Sequence, residues 1–585
     1  MATLTRRDFA KLTGATAATL SLGGLLASCA SGEAEKPAEG ATEGAADKAS
    51  SQVIVSMTTG SEPAAGFDPM VSWGCGEHVH EPLIQSTLIT TDADLNFKND
   101  LATSYEASED GMTWTFTVRD DVKFTDGTPL TARDVAFTIN GILNSEASEC
   151  DMSMVKEAVA TDDATVVVHM EKPFNALLYT LAVVGIVPEH AYGDTYGDNP
   201  IGSGRYMLEQ WDKGQQVILK ANPDYYGEAP NIQRVVVVFM EEDASLAAAK
   251  SGQVDVAYTS ATFAAQQPSG YDLLNCASVD SRGISLPVIP AGAMKTDEKG
   301  EAAAGNDVTC DLAIRQAINY GVDRDKMIDN VLNGYGTVAY SVGDGMPWSS
   351  PDMKCSTDVE KAKKLLDDGG WTAGADGIRE KDGTRAAFNL YYSAGDTVRQ
   401  GIAEEFTNQM KELGIEVSIK GASWDDLYPH QFTDPVVWGW GTNAPTEIYN
   451  LFYSKGTGNY ACYTSETTDK YLDEALAQPT VEESFDLWKK AQWDGQSGIA
   501  PQGDAPWVWF ANIDHLYFAK DNLKIAKQKP HPHGHGWSLV NNVDQWSWAS
   551  VYCARRGRGA AVPSRSNSPR FAAELAWWAP RRPSR

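Results

Sequence analysis

The sequence lacks any pair of cysteines at redox or metal-ligand spacing. Its eight cysteines (29, 75, 150, 276, 310, 355, 462 and 553) are scattered, with no CxxC. With Cys29 set aside the remainder is odd in number, which excludes a disulfide framework while leaving a single bridge open. Basic charge is also short. Lys and Arg total 48 against 79 Asp and Glu, for a formal net charge of -31, which argues against a nucleic-acid partner. No P-loop, HExxH, GxSxG or GxGxxG falls in a fitting strand–helix context, so no enzyme class is selected. Acidic pairs abound at this charge, but nothing singles one out as a hydrolytic dyad.

Long apolar runs are missing too. LTGATAATLSLGGLLAS, residues 12–28, is too short and too rich in Gly, Ser and Thr to span a bilayer. It follows Thr5-Arg6-Arg7-Asp8-Phe9-Ala10-Lys11, which resembles a twin-arginine export signal, and ends in Leu26-Ala27-Ser28-Cys29, which resembles a lipobox. Residues 1–28 are therefore expected to be a signal peptide. Lipidated Cys29 is then the new N-terminus and holds the chain on the outer face of the cell membrane. Residues 29–50 carry no large apolar side chain after Cys29, so they form no core and act as a tether reaching on the order of 25 Å. At the other end, 550–585 hold eight Arg, no Lys and one acid, Glu574. This segment is foreign in composition to the rest and is expected to be disordered, either as a basic tail or as a frameshift product after the natural end.

The body between these ends is long enough for two or more lobes. Gln52–Met57 reads as a buried strand. In MTWTFTV, Trp114, Phe116 and Val118 alternate with threonines as in a half-buried strand, and Asp120-Asp121 followed by VKF suggests a hairpin. Thr131 with Asp134 has a capping-box pattern, and so does Thr357 with Glu360. RVVVVFM, apolar throughout, is expected to be covered on both faces. FNLYYS, TVRQGIAEEFTNQMKEL and IEVSI form a βαβ unit.

Five stretches, in order, resemble the solute-binding protein family 5 of ABC importers, whose members bind peptides or nickel. They are DDVKFTDGTPLTARDVAFTI, IGSGRYMLEQWDKGQQVILKANPDYYG, AAAKSGQVDVA, AIRQAINYGVDRDKMIDNVLNGYG and DVEKAKKLLDDGGW. The resemblance implies an α/β, two-lobed, periplasmic-binding-protein-like clam-shell (type II, cluster C) with mixed sheets and an extra subdomain in lobe I. Lobe I takes 51–285, with the inserted subdomain at about 80–195, and returns at 508–549; lobe II takes 286–507. Crossings near 282–285 and 507–513 serve as the hinge, and solute is enclosed as the lobes close. The implied partners are a peptide or small-molecule ligand and the importer's permease and ATPase subunits. The chain is expected to be a monomer with no resident cofactor; any metal arrives chelated, as cargo. The other readings are a conventional di- or oligopeptide binder and a sensory lipoprotein of the same fold.

In peptide-binding relatives an Asp after a Trp-containing strand pairs with the ligand's ammonium. Here Trp438-Gly439-Trp440 leads into Gly441-Thr442-Asn443-Ala444-Pro445, with no Asp. An ammonium without a counter-charge is costly, unless Glu447 substitutes from the next turn. Trp73, Trp438 and Trp440 suit stacking or cation–π contact, the glycines beside Trp73 and Trp440 pointing to exposed loops. His78 is placed to supply an axial position to a chelate, and Asn443 and Tyr449 complete the enclosure. A third feature is HPHGHGW, with His531, His533 and His535 at alternate positions. Extended, the outer two stand about 13 Å apart, so three imidazoles do not share one ion. These histidines are candidate metal ligands by composition alone, and the stretch is expected to pack a loop near the hinge.

Overall fold

The computed structural model describes residues 51–71, 80–145, 147, 148, 150, 152–297, 300–534 and 536–549. The chain divides into two units, Met1–Ser50 and Ser51–Arg585, and all the described residues lie in the second. The expectations for Cys29, the tether and the Arg-rich tail lie outside the described residues, as do those for Trp73, His78 and His535.

Two large mixed sheets organise the second unit. The first has seven strands, running from edge to edge Tyr271–Cys276, His515–Lys520, Val256–Thr259, Gln52–Met57, Arg234–Phe239, Gln216–Ala221 and Tyr206–Asp212. Gln52–Met57 is parallel to both its neighbours. The all-apolar strand Arg234–Phe239 is covered on both faces. Val235 and Val237 join one apolar cluster with Val53 and Val55, while Val238 packs on a second built on Leu246, Ala249 and Phe518.

The second sheet has six strands: Gly336–Val338, Trp507–Ile513, Ser281–Ser285, Val436–Trp440, Ala387–Ser393 and Glu416–Ala422. The expected βαβ unit is present, with Ala387–Ser393 parallel to Glu416–Ala422 and the helix Thr397–Glu412 between them. The chain changes sheet twice. It leaves the first sheet at Cys276 and enters the second at Ser281; it returns with only Asp514 between Ile513 and His515. Ser281–Ser285 and Trp507–Ile513, the stretches expected as hinge, are therefore paired strands of one sheet.

A four-stranded antiparallel sheet lies apart, in the order Ala102–Ala107, Thr113–Val118, Thr165–Met170, Val155–Ala160. Trp114, Phe116 and Val118 are buried on one face, as their alternation requires. The hairpin to VKF does not form. Both edges of Thr113–Val118 are already paired, and Lys123 makes only an isolated bridge to Pro129. The helix Ala132–Leu143 opens on the capping box at Thr131 and Asp134, which is worth about 1 kcal/mol. The other expected box is corrected by one residue. Asp358 caps Val359–Asp368, while the Thr357 hydroxyl donates to Val322 O at 3.0 Å.

A continuous apolar core joins the four-stranded sheet to one face of the second large sheet, bringing Phe116 and Val166 into one cluster with Trp438, Tyr460 and Trp507. Asn175, five residues after the strand Thr165–Met170, ties that region to the end of the helix Glu466–Leu476 and the turn after it. Its side-chain amide donates to Ala475 O at 2.8 Å, Gln478 O at 3.1 Å and Thr480 O at 3.2 Å.

Candidate functional site

The strand Val436–Trp440 lies inside the second sheet, so its alternate residues face opposite ways. Trp438 and Trp440 share one face. Trp438, 3% exposed, stacks on Tyr460 with centroids 4.2 Å apart and planes at 11°, and on Trp424 at 5.9 Å. Its indole N–H donates to Ser285 Oγ at 3.0 Å. Trp440, 8% exposed, lies 6.0 Å from the Tyr460 ring. Its Nε1 is buried with no hydrogen-bond partner. Trp440 ends a buried strand rather than sitting in an exposed loop. The glycine before it serves the opposite face: a Cβ on Gly439 would stand 2.5 Å from Arg282 Nη1 and 2.8 Å from Arg399 Nη2. That glycine makes room for two buried arginines.

The loop after the strand is held against the first crossover. Gly441 has φ +150°, and a Cβ there would fall 1.9 Å from Val279 O, so only glycine fits. Gly441 O accepts from His533 N at 2.6 Å, and the Asn443 amide donates to Pro530 O at 3.0 Å. Asn443 Oδ1 is buried without a partner. One buried donor and one buried acceptor thus stand without a partner within four residues, as do Arg282 Nε and Arg399 Nε on the other face. Glu447 is half-buried on the helix Thr446–Phe452. Tyr449, on the same helix, stacks on Tyr453 at 4.4 Å and accepts from Lys172 Nζ at 3.3 Å.

The opposite face of the strand is saturated with charge. Asp280, 1% exposed, is paired with Arg282, accepts from His533 Nδ1 at 2.7 Å and meets His515 Nε2 at 3.0 Å. Burial pushes its carboxyl up, but Arg282 and His533 outweigh this and hold it well below the ordinary carboxylate range. Arg399 pairs with Asp396 at 2.5 Å, and its guanidinium is drawn down by burial and by Arg282. His531 Nδ1 lies 3.1 Å from His515 Nδ1. Burial, then His515, holds the His531 ring well below its ordinary value. Among the described residues no group of three or more His, Cys, Asp or Glu side chains is arranged to hold a metal ion. His531 and His533 are engaged by hydrogen bonds instead, and the metal reading of that stretch is not carried further.

Residues 96–461 match the model for bacterial extracellular solute-binding proteins, family 5 Middle. The chain belongs to this family. Protein XP55 of Streptomyces lividans is 32% identical over 456 residues, covering 74% of this chain and 79% of that protein. Among solved structures, NikZ from Campylobacter jejuni in complex with Ni(L-His) aligns with TM-score 0.71 at 23% identity, over 85% of this chain and 99% of that one. AppA from Bacillus subtilis in complex with a nonapeptide aligns with TM-score 0.66 at 24% identity, over 85% and 99%. These likenesses show the fold: α/β, two-lobed, with mixed sheets. Family 5 proteins are extracytoplasmic, bind peptides or small solutes and work with an ABC permease; the family is one of transport proteins, not of enzymes. Among the described residues no helix is long and apolar enough to cross a membrane.

Of the residues expected to hold solute, the fold brings Trp438, Trp440 and Asn443 to one strand end and its loop. The sequence pattern did not single out Tyr460 and Trp424, which complete the aromatic stack from a loop and a short helix. Nor did it single out Asp280, Arg282 and Arg399. Charged residues flanking a buried strand were a signal for these, but only the sheet crossing shows why they meet. Arg205, in the turn before Tyr206–Asp212, forms a largely buried ion pair with Asp544 at 2.9 Å.

Proposed function

We propose that this family 5 protein captures one peptide-like or metal-chelate solute between its lobes and delivers it to the permease and ATPase subunits of an ABC importer. The lobes centre on the two large sheets, and the crossings at 277–280 and at 514 act as the hinge. Acyl chains on Cys29 hold the monomer at the outer face of the membrane.

The observation that carries this reading is the unsatisfied pair, Trp440 Nε1 and Asn443 Oδ1, at the end of an aromatic stack. A solute offering an acceptor and a donor, with a flat or cationic part, satisfies both atoms and stacks on the rings. Asn443 brings no charge, which favours a chelate or a capped, neutral end over a free ammonium. The test is tryptophan fluorescence titrated with nickel–histidine and, separately, with short peptides carrying free or acetylated N-termini. The chelate or the acetylated peptide quenches at lower concentration than the free peptide. Tighter binding of the free peptide would restore the conventional peptide-binder reading. For the anchor, Cys29→Ser leaves the chain in the soluble fraction; continued membrane retention would refute lipidation.

A further inference from the structure

The rings of His515 and His531 meet where the chain passes between sheets, and solute capture gives them no role. His515 opens the strand after the second crossing. His531 is fixed to the first crossing by a parallel bridge to Ser278, with Val279 N donating to His531 O at 2.9 Å and His531 N donating to Ala277 O at 2.9 Å. His531 is 0% exposed.

The hydrogen bonds fix a proton count. His515 Nε2 faces the Asp280 carboxylate at 3.0 Å and must donate. His531 Nε2 faces Gln528 Oε1 at 3.3 Å. Gln528 is not free to turn its amide, because Nε2 already donates to Ala526 O at 3.2 Å and Asn542 Oδ1 at 2.9 Å. Asn542 is fixed in turn, its Nδ2 donating to Lys527 O at 2.9 Å. His531 Nε2 must therefore donate as well. The remaining contact, Nδ1 to Nδ1 at 3.1 Å, needs a hydrogen of its own. Three contacts require three ring protons, whereas two neutral imidazoles hold two.

We propose that His515 and His531 form a proton-bound pair, with three ring protons between them, which clasps the two crossings together and opens when the third proton is lost in alkaline medium. The cation lies on His515, whose Nε2 faces the Asp280 carboxylate at 3.0 Å, and His531 Nδ1 is the acceptor. The charged and titratable groups facing the pair come from both crossings and the elements packed against them. Asp280 and Arg282 stand on the first crossing and its strand, and His533 on the bridging stretch. Asp396 and Arg399 come from the long helix of the second sheet. From the first sheet, Tyr258 and Tyr517 approach, Cys276 lies beside Tyr517, and Glu242 bears on Tyr258. Asp280 and Asp396 offset the two arginines. Asp514, pushed up by burial and drawn down by His515, supplies the remaining counter-charge. Because His533 N holds Gly441 O and Asn443 holds Pro530 O, opening the clasp loosens the solute loop as well.

The test uses the full chain labelled with ¹⁵N-histidine. At neutral pH the His515 ring shows two protonated nitrogens and His531 one, assigned through single variants; on raising the pH into the alkaline range the shared proton is lost. One proton on each ring at neutral pH would overturn the proposal. Thermal melting provides an independent arm. A folded chain that holds a proton the unfolded chain releases is destabilised as the pH rises through its loss. The wild-type melting temperature therefore falls as the pH rises from neutral into the alkaline range. His531→Asn, which keeps an acceptor opposite His515, retains that slope. His515→Gln, which keeps only the donor to Asp280, loses it. An equal slope in wild type and His515→Gln would also overturn the proposal.

Discussion

The two faces of the strand Val436–Trp440 differ in what they bury: one holds paired charges, the other stacked aromatic rings. Beneath Gly439, Asp280 receives Arg282, His515 and His533 together, and Arg399 has its own carboxylate. On the tryptophan face, an indole N–H and an amide oxygen are buried with nothing to bond. Burial costs of this kind are normally met within the fold. Beneath Gly439 ion pairs hold the crossings in place, although Arg282 Nε and Arg399 Nε are buried there without a partner too; on the tryptophan face the bare donor and acceptor are the atoms we propose for the solute. A charged cluster is therefore not in itself a binding site, and the aromatic stack is continuous with the core.

The largest effect is expected beneath Gly439. Asp280→Ala leaves Arg282 and the imidazoles without their carboxylate and lowers unfolding stability by about 3–5 kcal/mol, measured by denaturant melting. A loss below about 1 kcal/mol would mean that the cluster is held by something other than Asp280. On the tryptophan face the ranking reverses between stability and binding. Trp440→Ala weakens solute binding by about 1–3 kcal/mol, read by calorimetry. Unchanged affinity would return Trp440 to the core and erase the contrast between the faces. Asn175→Ala removes three donated bonds and costs about 1–3 kcal/mol of stability. Tyr449→Phe is the smallest, within about 0.5 kcal/mol, because its hydroxyl bonds are long and at the surface.

Acid separates the faces again. Burial holds His531 and His533 below the ordinary histidine range, in His533 against the pull of Asp280. The unfolded chain takes up protons near pH 6.5 that these rings refuse, so stability falls as the pH drops from about 6.5. Asp280, held low, adds to this below about pH 4; its contribution is complete above the unfolded value and is lost towards the folded one. Trp440 and Asn443 do not titrate, so solute affinity at fixed folded fraction stays flat across the same range.

What the sequence made legible follows from the range of the interactions. Alternation in Thr113–Val118, the capping box at Thr131 and the βαβ pattern of 387–422 are local, and the structure has them. The hairpin after Val118 failed because long-range partners had taken both strand edges. Glycine beside Trp440 pointed to a loop, whereas Gly439 is small because two arginines pack on it, and no local pattern says so. HPHGHGW looked like a metal tract because its three histidines are close in sequence. Its decisive partners, Asp280 and His515, lie 253 and 16 residues away from it.

The central claim is that the tryptophan face of Val436–Trp440 holds a transported solute. Native mass spectrometry of the chain purified from exporting cells tests it most directly. The account predicts a monomer carrying one bound peptide or metal chelate, lost in the Trp440→Ala/Asn443→Ala double variant while the fold persists. A wild-type spectrum showing only the bare chain, unchanged after incubation with nickel–histidine or short peptides, would contradict it.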